Sequence, residues 1–106
     1  MDNYKDLEIS DHFIKRCSER APWLVKARKK KYGGGFELDL PKFCYAIKTS
    51  IEIDRPNTIS RLIKYGHKTK YYHHNKSPLK NQVIFVVEDN LLMTLYLYKY
   101  SWAVKI

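Results

Sequence analysis

The chain has 106 residues and 12.7 kDa of mass, enough for one hydrophobic core and too little for two, so a single domain over residues 1–106 is expected. Its 20 Lys and Arg against 11 Asp and Glu leave a net charge of +9. With 44% hydrophobic and 14% aromatic residues, the composition excludes a disordered tail or a fibre.

Along the chain, Ser10 reads as an N-cap, with Asp11 in the first turn where the helix dipole favours an anion. The helix it opens runs from about Asp11 to Arg20 and stops near Pro22, with Phe13, Ile14, Cys17 and Ala21 on one apolar stripe. His12, Arg16 and Arg20 recur every fourth residue and share an adjacent face. A second helix is expected from Pro22, carrying Trp23, Leu24 and Ala27 inward and ending at Gly33-Gly34-Gly35. A third follows Asp39, with Pro41 in its first turn and Phe43, Cys44, Ile47 and Ile51 on its stripe.

From Thr58 the pattern changes to strands. Thr58 to Lys64 and Lys68 to His74 are joined by a turn at Gly66-His67, and Asn75 to Asn81 forms a loop around Pro78. Gln82 to Glu88 and Leu91 to Tyr98 make a hairpin across Asp89-Asn90. In its second arm Leu91, Met93, Leu95 and Leu97 alternate, as a core face, with Leu92, Thr94, Tyr96 and Tyr98. Ser101 to Ile106 supplies a short last strand. The expected fold is α+β: N-terminal helices packed on a four- to five-stranded antiparallel sheet.

The charge is uneven. Arg55 to Lys80 holds seven basic residues and no acid, interleaved with Tyr65, Tyr71, Tyr72, His67, His73 and His74. Cations among flat rings suit a phosphate backbone whose bases stack. Arg61, Lys68, Lys70 and Tyr72 are the RNA-contacting candidates from this stretch. A second cluster, Lys26, Arg28, Lys29, Lys30 and Lys31, runs into the glycine triplet.

No stretch reaches the roughly 18 apolar residues of a membrane span, and the acids Asp2, Asp6, Glu8 and Asp11 argue against a secretory signal. Cys17 and Cys44 are too few for a disulfide framework and sit on apolar stripes, as buried thiols do, so a reducing cytoplasm is expected. There is no Cys-x2-Cys pair, His73 and His74 adjacent on a strand cannot close one zinc site, and Gly33 to Gly35 lacks the following Lys-Ser/Thr of a phosphate loop, so no cofactor is expected.

The helix order with Ser10-x-His12-x3-Arg16-x3-Arg20, followed by the Val83 to Val87 and Leu91 to Tyr98 hairpin, resembles the RelE-like toxins and the RegB-like phage endoribonucleases. These are small members of the barnase–EndoU–colicin–RelE superfamily. The resemblance covers most of the chain in architecture but only the first helix as a motif. It implies metal-independent cleavage of RNA, and it carries over His12, Arg16 and Arg20 alone.

Such cleavage needs a base for the 2′-OH proton, an acid for the leaving 5′ oxygen and a cation for the charge growing on phosphorus. His12 is the candidate base or acid, Arg16 and Arg20 the cations. A sheet histidine, His74 ahead of His73, is the second proton carrier; being adjacent on a strand, the two point to opposite faces. The expected function is therefore an endoribonuclease acting on single-stranded RNA, as a toxin or as a phage-type processor of messenger RNA. The alternatives are an RNA-binding module without turnover, and a factor that docks on an acidic protein such as an antitoxin or inhibitor.

Overall fold

The computed structural model describes residues 4–53 and 69–98. The expected strand Thr58 to Lys64, the turn at His67, the candidates Arg61 and Lys68, and the closing strand Ser101 to Ile106 all lie outside the described residues.

The α+β class holds. The first helix, α1 (Asp11–Arg20), begins where Ser10 accepts the Phe13 backbone N–H at 3.0 Å. It buries Phe13 and Cys17, with Ala21 just beyond. The other helix, α2 (Leu40–Lys48), has a proline in its first turn and buries Phe43, Ala46 and Ile47. Cys44 is half-buried and packs against the core from its margin. Ile51 lies past the end of α2 on a strand, where it is exposed.

A five-stranded sheet is built from β1 (Glu8–Ile9), β4 (Ile51–Ile53), β5 (Thr69–His74), β6 (Val83–Glu88) and β7 (Leu91–Leu97), in the order β1-β7-β6-β5-β4. Four of its strands form the antiparallel part, but β1 runs parallel to β7. The sheet is therefore mixed where an antiparallel one was expected. A two-residue strand such as Glu8–Ile9 shows no alternation to read. It is held by the Glu8 N–H to the Asn90 carbonyl at 2.7 Å and the Ser10 N–H to the Leu92 carbonyl at 3.4 Å.

The expected second helix does not form. Pro22–Leu24 is a single 3-10 turn, and β2 (Val25–Ala27) follows, paired antiparallel with β3 (Phe36–Leu38) in a separate two-stranded sheet. Ala27 is exposed, not inward. A helix through this segment would stack Lys26, Lys29 and Lys30 at repelling spacings. The hairpin instead places the cations in an exposed loop, and its three glycines, Gly33, Gly34 and Gly35, all take positive φ.

The alternation along β7 is also interrupted. Val86 pairs with Thr94 but Val87 pairs with Leu92, so Met93 is an extra residue in a β-bulge. The bulge shifts the parity by one. Leu92 and Leu95 are both fully buried on the helix side, whereas Leu91 is exposed. Beyond the bulge the expected faces hold: Leu97 packs on the helix-side core, and Tyr96 and Tyr98 on the opposite face with Tyr71, Ile84 and Val86. The helix-side core is Phe13, Phe43 and Phe85 in mutual edge or tilted contact, 5.9 to 6.2 Å apart. No helix among the described residues is long and apolar enough to cross a membrane.

Candidate nucleic-acid interface

The helix α1 lies along β7 and closes part of its edge. The Ser10 hydroxyl reaches the carbonyls of Leu92 and Met93 at 3.1 and 3.2 Å, sharing its single proton between them. At the other end of the helix Arg20 donates Nη1–H to the Leu95 carbonyl at 2.8 Å. Its guanidinium carbon lies 5.1 Å from the centre of the Tyr96 ring. Arg20 thus serves packing and edge closure.

His12 and Arg16 remain toward solvent. Arg16 Nε donates to His12 Nε2 at 3.3 Å, which makes that ring nitrogen the acceptor. Arg16 Nη1 also holds the Glu19 carboxylate at 2.7 Å. The Arg16 hydrogen bond, joined by the charges of Arg16, Lys15 and Arg20, keeps the Glu19 carboxyl below the usual range. Glu19 was missing from the sequence-derived site. Its spacing of three from Arg16 and seven from His12, the same helical face, was the available signal.

The two sheet histidines do not join this cluster. His74 is fully buried on the helix side, between the rings of Trp23 and Tyr45 at 5.9 and 5.6 Å. Thr49 uses its proton on the Tyr45 carbonyl at 2.7 Å, so it accepts from His74 Nδ1–H at 3.1 Å. Ser77 Oγ, 2.7 Å away, then donates to Nε2. Both ring nitrogens are occupied, and burial, reinforced by His73, pushes the pKa of His74 down. The preference for His74 as the proton carrier is thereby corrected: a side chain sealed in the core and doubly hydrogen-bonded has no substrate to reach.

His73 points to the opposite face, stacked on Tyr98 at 4.2 Å with 11° between the rings. Gln82 donates its amide to the Ser77 carbonyl at 3.1 Å, which turns its Oε1 toward His73 Nε2 at 3.0 Å. His73 therefore donates there. Burial lowers its pKa and the Gln82 bond opposes part of that shift. His73 aligns across the sheet with Ile84 and then Tyr96. Two strand spacings, roughly 10 Å, separate it from Tyr96, and another roughly 12 Å of helix axis separates Arg20 from His12. One phosphodiester does not span both.

Of the RNA-contacting candidates, Tyr72 is buried in the helix-side core and not available for stacking. Burial, then the Glu52 charge, raises its phenol pKa. Lys70 is exposed, with Nζ 3.9 Å from Glu52 Oε1.

A groove of about 460 Å³ runs between α1 and the β2–β3 hairpin. Its apolar walls are Ile14 and Phe36, and Asp11, Lys15, Glu19 and Arg28 supply its charges. Glu19 is common to the groove and to the His12–Arg16 pair, which makes the two one surface. No group of three His, Cys, Asp or Glu side chains able to hold a metal occurs among the described residues. No protein-family model, curated protein or solved structure matches the chain, so the reading of this surface rests on its own geometry.

Proposed function

We propose that the protein is a metal-independent endoribonuclease of single-stranded RNA, RelE-like or RegB-like in kind, with its reacting groups on α1. The observation that carries this reading is the solvent-facing His12–Arg16 pair, whose Nε2 and Nε lie 3.3 Å apart in a chain of net charge +9. To take the 2′-OH proton, His12 Nε2 exchanges the Arg16 Nε–H bond for the substrate hydroxyl, which leaves Arg16 free to turn to the phosphoryl oxygens. The 2′ oxygen attacks phosphorus, the P–O5′ bond breaks, and a 2′,3′-cyclic phosphate forms. Arg16 carries the charge that grows on the phosphoryl oxygens. Glu19 is a positioning residue that aims Arg16. The departing 5′ oxygen takes its proton from water, because neither sheet histidine reaches the pair. The free thiols Cys17 and Cys44 suit a reducing cytoplasm.

An RNA-binding module without turnover is the second reading, favoured by the exposed cations and rings of the β2–β3 hairpin. Mixed RNA incubated with the protein in excess chelator separates the two. Discrete cuts support the nuclease, and salt-sensitive binding with intact RNA supports the module.

A further inference from the structure

We infer that the β2–β3 hairpin is a single-strand RNA clamp: its loop lysines hold the phosphates, and the adjoining groove takes a base against Phe36. This inference takes the identity of the ligand from the RNA reading above but does not depend on cleavage. Lys29, Lys30 and Lys31 are exposed, with the Tyr32 ring beside them at 63% exposure and Phe36 at 51%. Lys31 Nζ already lies 5.0 Å from the centre of the Tyr32 ring. Cations set beside bare aromatic faces match a ligand that presents alternating phosphates and stacking bases.

The loop is shaped by its glycines. Arg28 ties it across, from its backbone N–H to the Gly35 carbonyl and from Nε to the Gly34 carbonyl, both at 2.9 Å. A Cβ at Gly34 or Gly35 would meet nothing within 4 Å, so open space lies over the backbone between the lysines and the groove. There a phosphate can approach closely.

Charge sets the orientation of the strand. Asp11 and Glu19 place carboxylate acceptors on the groove's helix wall, balanced there by Lys15 and by the Arg16–Glu19 pair, while the densest positive charge lies on the hairpin loop, where the phosphates are held. A base turned inward meets those carboxylates, which accept hydrogen bonds from exocyclic amines. Cytosine carries such an amine and uracil does not. Oligocytidylate is therefore the better ligand of two pyrimidine strands with similar stacking.

The test is equilibrium binding of fluorescent oligocytidylate and oligouridylate to the full chain carrying His12→Ala, in which cutting is slowed well below the time of the measurement. Replacing both Lys29 and Lys31 by Gln should weaken binding. It should also reduce the slope of log affinity against log salt by about 1.4, two single-strand phosphate contacts at roughly 0.7 each. Phe36→Ala and Tyr32→Ala should each weaken binding about 5- to 150-fold, the range for one base stack. All four side chains are exposed, so unchanged melting curves are expected. Affinity and salt slope unaffected by these changes, equal affinity for the two oligonucleotides, or tighter binding to anionic lipid vesicles than to either, would each overturn the clamp. Parental protein that cuts RNA while the hairpin variants bind normally sinks the clamp alone. Binding through the hairpin with no cleavage sinks the nuclease alone.

Discussion

Arg20 and Leu95 are joined by a 2.8 Å hydrogen bond from guanidinium to backbone carbonyl, and this bond separates Arg20 from the residue one turn before it. Arg16 has the same side chain and the same register on α1, yet it faces His12 and Glu19 in solvent. Arg20→Ala should cost about 1.5–3 kcal/mol, as loss of a charged hydrogen bond to a half-buried carbonyl does. Arg16→Ala should cost less than about 1 kcal/mol, the range for an exposed ion pair. Urea midpoints of the two variants check this; equal losses would contradict the division of labour along the helix.

Ser10 serves both as helix cap and as cover for the β7 carbonyls of Leu92 and Met93. Ser10→Ala should destabilise by about 1–2 kcal/mol, toward the upper end for an N-cap. Ser10→Asp keeps the cap acceptor but brings a carboxylate against two carbonyls, so it should not restore stability. Full rescue by Asp would show that the cap alone matters.

The two helices and the last hairpin were legible because their signals are local: an N-cap, apolar residues at helical spacing, and paired β-rich runs around a two-residue turn. Three features were not. The parallel strand Glu8–Ile9 is too short for a pattern. The bulge at Met93 reverses the alternation on one arm only, and it depends on the partner strand's register. The hairpin Val25–Leu38 owes its existence to pairing across a loop, which overrides the helical look of Trp23, Leu24 and Ala27. At the site, the helix face predicted the His12–Arg16 contact. That His74 faces α2 and His73 the opposite side follows from sheet order, which residue spacing does not reveal.

Burial of both sheet histidines makes stability depend on pH. Each has its native pKa pushed below the ordinary 6.5. Above about pH 6.5 folded and unfolded chains both carry neutral rings, so there is no penalty. As the pH falls through that value the unfolded chain binds protons first, and stability declines until the lowered native pKa is passed. The urea midpoint should drop between about pH 7.5 and pH 5.5, with His73→Gln reducing the drop. A flat profile would contradict the burial.

The thiols should differ. Cys17 is fully buried and burial pushes its pKa up to about 12, while Cys44 is half-buried at the core's margin. A thiol reagent should label Cys44 in the native protein and reach Cys17 only on unfolding. Cys17→Ala should cost about 1 kcal/mol. Two equally fast thiols would show that α1 is rotated from the position described.

The central claim is that His12 moves the proton in a metal-free cut. Its most direct measurement is the cleavage rate of single-stranded RNA in excess chelator by the parent protein and by His12→Ala, with the new 3′ ends identified. The account predicts 2′,3′-cyclic phosphate ends and a loss of roughly 10²–10⁴-fold in rate, with affinity little changed. Cleavage by His12→Ala at the parental rate, or cuts that vanish with chelator, would contradict it.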